Sequence, residues 1–240
     1  MNGFSCIAGQ FEQLASLDKH QINLLESLEQ DIRKFPAGSM ICEAGAEANS
    51  LYILHEGWAC ATRLLADGQR QVLDIFLPGQ VMGLREIGFK RFQSDVVSLT
   101  EVEACQFSRA RLLEVFSESP RLADLFFLSM AREQAMFGER IVSIGRRPAA
   151  ERLGHFLLEL KTRLLLDSKE FELPLNQSVI GDALGLSAVH VSRTLGVLRE
   201  RNLVRVEKRR VSITDLEGLV DFSGFDRAYL DCSSNWARLN

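Results

Sequence analysis

The amino-acid sequence predicts an α+β protein with an N-terminal antiparallel β-roll (a jelly roll), a long helix and a C-terminal winged helix-turn-helix. Three observations predict this order. Short β-rich runs between spaced glycines fill residues 33–110, an apolar seam at helical spacing follows Ser119–Pro120, and two short amphipathic helices precede an alternating hairpin. We place the domain boundaries at 1–118, 119–145 and 146–240, the last including a C-terminal tail.

The first 110 residues combine short helices with a sheet. Between residues 11 and 32, apolar residues recur at helical spacing, at Leu14, Leu17, Ile22, Leu25 and Leu28. Beyond residue 33, turn signals come roughly every 8–12 residues. Asp67–Gly68 lies between two alternating runs and predicts a hairpin. This pattern is typical of a jelly roll, which can enclose a ligand cavity.

The long helix carries a seam that favours pairing with a second helix. Pro120 suits the first turn of a helix. The seam residues, at alternating spacings of three and four, are Phe127, Met130, Gln134, Phe137, Ile141 and Ile144. We predict a dimer interface on this face, with packing against the helix's own domain as the alternative. Gly145–Arg146–Arg147–Pro148 is expected to end the helix and form a hinge.

Residues 181–201, GDALGLSAVHVSRTLGVLRER, divide into two short helices at Gly185–Leu186. Asn176 and Ser187 are placed to cap the two helices, and a tight turn containing glycine is typical of a helix-turn-helix. Residues 204–213, VRVEKRRVSI, predict the hairpin that makes the unit winged. Small, polar and arginine side chains share the outward face of the second helix. Such a face can enter a DNA major groove. The alternative interpretation is that this is an ordinary surface helix.

Charge is distributed unevenly along the chain. The net charge is −4, yet residues 146–213 carry 13 Lys and Arg against 8 Asp and Glu, a net of +5. A basic module on an acidic body is the electrostatic pattern of DNA binding. A ligand-binding signalling module without DNA activity would not need this basic segment.

The sequence shows no signal for secretion or for a membrane. The N-terminus MNGFSCIAGQFEQL lacks the basic and apolar regions of a secretory signal, and no uncharged apolar run is long enough to span a bilayer. We therefore expect a soluble, cytoplasmic protein. The five cysteines, at 6, 42, 60, 105 and 232, include no CxxC pair. Their spacing argues against a disulfide framework and against a zinc or iron–sulfur site built from local ligands, so we expect no metal and no cofactor.

The sequence also lacks the motifs of common enzyme classes. GLREIGFK has a GxxxxG skeleton but lacks the Lys-Ser/Thr that a P-loop requires. No GxSxG, HExxH or paired-carboxylate arrangement is present. We expect no catalytic residues and no enzymatic activity.

The order of β-roll, long helix, hinge and winged helix-turn-helix resembles the CRP/FNR family of bacterial transcription regulators. The resemblance covers nearly the whole chain from about residue 20. GAEANSLYILHEG is similar to the family's strand-and-turn motif in its cyclic-nucleotide-binding-like β-roll. The segments that resemble the FNR branch, in order, are GQVMGLREIG, SDVVSLTEVEACQFS, RRPAAERLGHFLLEL and IGDALGLSAVHVSRTLGVLRERNLV.

The resemblance implies a homodimer that binds a near-palindromic double-stranded DNA site and recruits or blocks RNA polymerase. The residues implied in DNA contact are Ser187, Val189, His190, Ser192, Arg193, Arg199, Lys208, Arg209 and Arg210. Relatives place a glutamate, which can accept from cytosine, three residues before Ser-Arg. This chain has Val189 there, so a TTGAT-like or TGTGA-like half-site is not implied.

Cyclic-nucleotide-responsive members carry Gly-Glu-(Leu/Ile) and, some ten residues later, Arg-Ser or Arg-Thr. The corresponding candidate effector pocket here contains Gly83, Arg85, Glu86, Arg91, Gln93 and Ser94. Gln93 replaces the arginine that would neutralise the cyclic phosphate, and the glutamate is displaced to Glu86. Arg85 or Arg91 could substitute, although we expect each to be a solvated surface charge. We therefore expect no response to cyclic AMP.

Two other family signals are also altered. Oxygen-sensing members hold a [4Fe–4S] cluster with three N-terminal cysteines and a fourth in the β-roll. Cys105 matches the fourth, but Cys6 stands alone, so we expect no cluster and a buried Cys105. Haem-gated relatives need an axial ligand, for which His55 is the candidate, with a surface histidine as the expected role. The effector stays unknown, and the alternative function is a small-molecule- or haem-gated signalling module of the same fold.

Overall fold

The structure, a computed structural model, describes residues 5–232. The helices are α1 (Cys6–Glu12), α2 (Lys19–Glu26), α3 (Arg109–Glu118), α4 (Pro120–Arg146), α5 (Ala149–Arg163), α6 (Gln177–Leu184), α7 (Ala188–Glu200) and α8 (Leu216–Ser223). The strands are β1 (Asp31–Phe35), β2 (Met40–Cys42), β3 (Ser50–Glu56), β4 (Ala59–Leu64), β5 (Arg70–Phe76), β6 (Val81–Met82), β7 (Asp95–Ser98), β8 (Val102–Ser108), β9 (Glu170–Glu172), β10 (Val204–Glu207) and β11 (Arg210–Ile213). Short 3₁₀ helices cover Leu84–Glu86 and Arg227–Tyr229.

The described chain forms two compact units. One contains residues 5–63, 74–133 and 232, and the other contains residues 64–73 and 134–231. Residues 1–4 and 233–240, which belong to the first and last predicted domains, lie outside the described residues. No helix among the described residues is long and apolar enough to cross a membrane.

Two four-stranded antiparallel sheets form the predicted β-roll. The strand order is β1-β8-β3-β6 in one sheet and β2-β7-β4-β5 in the other. The hairpin predicted at Asp67–Gly68 joins β4 to β5, and Gly68 has a φ of +83°, a conformation that glycine adopts without steric cost. The predicted α+β fold class is confirmed.

The N-terminal helices differ in extent from the predicted helical region. The hydroxyl of Ser5 accepts from the N–H of Ala8, so α1 begins at Cys6, before the apolar spacing indicated. At the other end, Asp31 and Ile32 belong to strand β1, where they pair with β8, and not to a helix. Pairing with a distant strand here overrides the local helical spacing.

The core of the first unit lies between the N-terminal helices, the β-roll and the first turns of α4. Phe11 of α1 and Phe126 of α4 pack edge to face, with ring centroids 4.9 Å apart. The other large side chains buried in this core include Ile7, Leu25, Leu51, Ile53, Leu112 and Leu125.

The second unit is built around α5, which packs on α7 and α8. Its buried apolar side chains include Leu153, Leu157, Leu160, Val191, Leu198 and Leu219. The predicted caps are confirmed, since Asn176 accepts from the N–H of Val179 at 2.9 Å and Ser187 accepts from the N–H of His190 at 3.2 Å. A Cβ at Gly181 would lie 2.3 Å from the carbonyl oxygen of Leu186, so the tight turn between α6 and α7 requires glycine at this position.

The predicted wing is also present. β10 and β11 form a hairpin in which Glu207 pairs with Arg210, leaving Lys208 and Arg209 as the two-residue turn. Strand β9 adds a third strand beside β11. The wing joins the helix-turn-helix through β10, which packs against α7.

Candidate functional site

Helix α7 presents the predicted contact face to solvent. Its buried side consists of Val191, Thr194 and Leu198, and the hydroxyl of Thr194 donates to the carbonyl of His190 within the helix. The exposed side contains Ser187, Val189, His190, Ser192, Arg193 and Arg199. Val189 and Val197 are 62% and 38% exposed, so apolar side chains lie among the polar ones on the accessible side of α7. All six predicted contact residues, five on α7 and Ser187 as its N-cap, are therefore accessible to solvent.

The turn of the wing adds exposed cations to this unit. Lys208, Arg209 and Arg210 are all exposed. Arg210 lies 3.6 Å from Glu170, but both side chains are more than half exposed, so water and salt weaken that pair. Across residues 5–232, Arg193, Arg199 and Arg209 form no ion pair with a carboxylate. Their guanidinium groups are accessible to an external anion such as a DNA phosphate.

The structure adds one cation that the sequence did not single out. Arg205 lies on β10, is exposed, and pairs in register with Ser212 of β11. Its only sequence signal is its place in the alternating strand. Arg201, although near Arg199 in sequence, lies over the ring of Phe222 at 4.7 Å and has an intramolecular partner.

Arg152 of α5 donates hydrogen bonds both to the helix-turn-helix and to the predicted hinge. Its Nη1 donates to the carbonyl of Leu184 at 2.5 Å, at the end of α6, and its Nη2 donates to the carbonyl of Arg147 at 3.0 Å. One guanidinium therefore satisfies the carboxyl end of α6 and the predicted hinge together. Burial lowers the pKa of Arg152 from its ordinary value.

Four of the six candidate effector residues line one small cavity in the β-roll. The residues around it are Ala61, Phe76, Val81, Gly83, Leu84, Arg85, Glu86, Ser94, Val96 and Glu133. Its volume is about 10 Å³, which is room for about one water molecule and far below the several hundred Å³ of typical ligand pockets. Arg91 and Gln93 do not line it: both are exposed, and Arg91 donates to the carbonyl of Gly45.

Arg85, which lines this cavity, is held by charged neighbours. Its Nη2 lies 2.5 Å from Oδ2 of Asp74, and its Nε lies 3.6 Å from Oε2 of Glu133. The guanidinium also lies over the ring of Phe76 at 5.8 Å. The expectation that Arg85 is a solvated surface charge is therefore wrong, because the carboxylates of Asp74 on β5 and Glu133 on α4 both lie beside it.

Three residues considered as possible cofactor ligands, His55, Cys105 and Cys6, lie in the first unit. Cys105 is buried on β8, as predicted. His55 is not a surface residue: it is half-buried, and its Nδ1 lies 3.0 Å from Sγ of Cys6. Oε1 of Glu29 accepts from the N–H of Cys6 at 3.0 Å. Burial, together with the carboxylates of Glu29 and Glu56, raises the pKa of the Cys6 thiol to about 11.

Both halves of the chain match known protein families. Residues 32–119 match the cyclic nucleotide-binding domain family, and residues 151–222 match the Crp-like helix-turn-helix domain family. The chain is 30% identical over 204 residues to the nitrogen fixation regulation protein FixK of Bradyrhizobium diazoefficiens, covering 84% of this chain and 85% of that protein. It is 31% identical over 193 residues to the transcriptional activatory protein AadR of Rhodopseudomonas palustris, covering 79% and 80%.

A solved structure is similar in fold. FixK2 from Bradyrhizobium japonicum superposes with a TM-score of 0.74 at 24% identity, covering 80% of this chain and 96% of that one. The named relatives are transcription regulators and not enzymes. With its β-roll, its exposed basic α7 and its wing, the chain belongs to the CRP/FNR family of DNA-binding transcription regulators.

Proposed function

We propose that the protein regulates transcription as a homodimer on a near-palindromic DNA site. In this proposal residues 1–118 sense a signal, residues 119–145 pair two chains, and residues 146–240 bind DNA in the cytoplasm. The family resemblance adds that the bound dimer recruits or blocks RNA polymerase.

The observation that carries the dimer proposal is an exposed apolar stripe on α4. Phe127 and Ile141 are 63% and 71% exposed, and Gln134, midway between them, is also exposed. A spacing of seven residues keeps side chains on one face of a helix. Covering large apolar side chains by a second α4 would remove that area from water, at about 25 cal/mol per Å². Identical stripes on two chains suit a symmetric pairing.

The other predicted seam residues flank this stripe. Met130, Phe137 and Ile144 are half-buried within their own chain. Met130 packs against the core of the first unit, and Ile144 approaches Gly185 at the end of α6. Pairing would therefore centre on Phe127, Gln134 and Ile141, with the other three at its margin.

Each chain of the dimer would place one α7 in a major groove. Arg193 is suited to a bidentate contact with guanine, and Val189 to contact with a thymine methyl group. His190, Ser192 and Ser187 lie on the same exposed face, at or near the start of α7. Arg199, Lys208, Arg209 and Arg210 would contact phosphates, which fix register and carry no sequence information.

Selection of binding sites from a random DNA library by the purified full chain tests this proposal. We expect enrichment of a near-palindrome whose half-sites lie about one helical turn apart, roughly 10 base pairs. Native mass spectrometry of the selected duplex should show two chains per site. Enrichment of a single, unrepeated half-site bound by one chain would contradict it.

A further inference from the structure

We propose that Cys6, Glu29 and His55 bind one divalent transition-metal ion, for which zinc is the best match. A thiol sulfur, a carboxylate oxygen and an imidazole nitrogen from these residues all lie within 4.8 Å of one another. Between residues 5 and 232, this is the one place where three metal-ligating side chains meet so closely. The site goes beyond DNA binding and does not depend on it.

The separation of the ligand atoms is close to that around a tetrahedral ion. Zinc binds sulfur at about 2.3 Å and nitrogen at about 2.0 Å, so two such ligands lie about 3.5 Å apart. Sγ of Cys6 lies 3.0 Å from Nδ1 of His55. An opening of about half an ångström would admit the ion between them.

Each ligand is supplied by a different part of the first unit. Cys6 begins α1, Glu29 follows α2, and His55 lies on β3. Oε1 of Glu29 accepts from the N–H groups of Cys6 and Ile7, at 3.0 and 3.3 Å. These bonds hold the carboxylate beside the thiol and leave Oε2 for the ion, as outer hydrogen bonds do in metal sites.

The ligand set selects the class of metal. Thiolate and imidazole favour zinc and neighbouring transition metals, whereas calcium and magnesium prefer oxygen ligands alone. Binding of a divalent cation would release the thiol proton of Cys6 to solvent. The cation would then neutralise the resulting thiolate and the carboxylate of Glu29, beside the further negative charge of Glu56. Three protein ligands leave a fourth position for water or another donor.

The expectation that the chain holds no metal was based on local spacing. Cys6 and Glu29 are 23 residues apart, and His55 is 49 residues from Cys6. Local motifs such as CxxC or HxxxH do not predict a site whose three ligands are far apart in the sequence. The packing of α1 against β3, with the segment after α2 beside them, brings these ligands together.

Cobalt and zinc binding to the full chain test the proposal. Protein stripped with a chelator should bind one Co²⁺ per chain, with a thiolate-to-cobalt charge-transfer band and the visible bands of tetrahedral coordination. Zinc should displace the cobalt, and competition with a chromophoric chelator gives the zinc affinity.

Single substitutions identify the ligands. Cys6→Ser should remove the charge-transfer band. His55→Gln and Glu29→Gln should each weaken zinc binding by at least about tenfold, the lower end of the effect of outer-sphere partners. Glu29→Gln retains an oxygen acceptor for the backbone of Cys6, so it removes the carboxylate with the least disturbance to folding. Cys42→Ala, a buried cysteine of the same β-roll, is the matched control and should keep both signals.

Three results would overturn the metal site. They are no cobalt binding by the stripped full chain, a charge-transfer band that persists in Cys6→Ser, and a zinc affinity unchanged in both His55→Gln and Glu29→Gln. Circular dichroism of each metal-free variant shows whether it is folded. If Cys6→Ser unfolds, the visible spectrum of cobalt-loaded Glu29→Gln takes its place. Bands that differ from those of the parent chain support the site, and an identical spectrum contradicts it.

Discussion

The guanidinium of Arg85 lies against the carboxylate of Asp74 inside the β-roll, with Nη2 2.5 Å from Oδ2. Asp74 is only 4% exposed, so the pair is largely removed from water. Glu133, on α4, is the second carboxylate beside the same guanidinium. Carboxylates of the protein itself therefore neutralise Arg85, the candidate cation for a cyclic phosphate.

The first prediction concerns cyclic nucleotides. Cyclic AMP at millimolar concentration should leave the melting temperature of the full chain unchanged. The physical reason is that the cavity holds about 10 Å³ and Arg85 is committed to Asp74. Thermal denaturation with and without the nucleotide checks this. A rise in melting temperature with nucleotide concentration would mean that the cavity opens.

The second prediction concerns the stability that Arg85 provides. Arg85→Met should destabilise the fold by about 3–5 kcal/mol, because it removes the guanidinium that lies against the buried carboxylate of Asp74. Urea denaturation measures this loss. Arg91→Met, at an exposed arginine of the same β-roll, should change the unfolding free energy by no more than about 0.5 kcal/mol. Adding Asp74→Asn to Arg85→Met should recover part of the loss. An equal loss of unfolding free energy in Arg85→Met and Arg91→Met would exclude the stabilising role assigned to Arg85.

The third prediction concerns pH and His155. This histidine of α5 is buried, stacked on Tyr229 with centroids 5.9 Å apart, and its Nε2 lies 3.3 Å from Glu139. Burial, and then the charge of Arg147, lowers the pKa of His155 below its ordinary value of 6.5. The unfolded chain therefore binds this proton more readily, so stability is lost as pH falls below about 6.5 and is retained above it.

Urea denaturation at a series of pH values from about 8 to 5 measures this dependence. His155→Phe keeps an aromatic ring beside Tyr229 and should flatten the decline. His20→Gln, at an exposed histidine of α2, should leave the decline as it is in the parent chain. A decline that persists in His155→Phe would assign the effect to other groups.

The architecture could be predicted from sequence because its signals are local. Asn176 and Ser187 cap helices through atoms only three residues away, and the glycine turn and wing follow equally short patterns. The exposed side of α7 follows from the helical period alone. Short-range sequence patterns therefore predict nearly all of the candidate DNA-binding surface.

The contacts between side chains in the first unit could not be predicted in the same way. Arg85 meets Asp74 and Glu133, which lie on different elements, and Cys6 meets His55 across 49 residues. Periodicity indicates which residues are buried but not which carboxylate faces which cation. The ion pairs of Arg85 beside the small β-roll cavity and the Cys6–His55 contact are consequences of tertiary packing.

The fourth prediction concerns the dimer. Ile141→Asp should place a carboxylate in the proposed α4 interface, where burial without a partner costs several kcal/mol. Sedimentation velocity at micromolar concentration should then show a monomer, while the parent chain sediments as a dimer. Leu113→Asp is the matched control: Leu113 is 63% exposed on α3, outside the stripe, and its variant should remain dimeric. An Ile141→Asp variant that stays dimeric would place the interface elsewhere.

The last prediction separates base reading from phosphate contact. Arg193→Ala should cost about 1–3 kcal/mol on the selected site and much less on random DNA, because it removes a contact with a base edge. Arg209→Ala should weaken binding to both DNAs alike and reduce the salt slope by about one, because it removes a phosphate contact. Fluorescence anisotropy on both duplexes at several salt concentrations measures these effects.

Arg63→Ala serves as the control for charge alone, because Arg63 is exposed on β4 and should affect neither DNA. The base opposite Val189 should be a thymine or weakly specified, since an apolar side chain can contact a methyl group but cannot accept from cytosine. Two results would refute this assignment of α7. One is an equal loss on selected and random DNA for Arg193→Ala, and the other is a strong cytosine preference opposite Val189. Either would mean that α7 lies in the groove at another angle, with different side chains at the base edges.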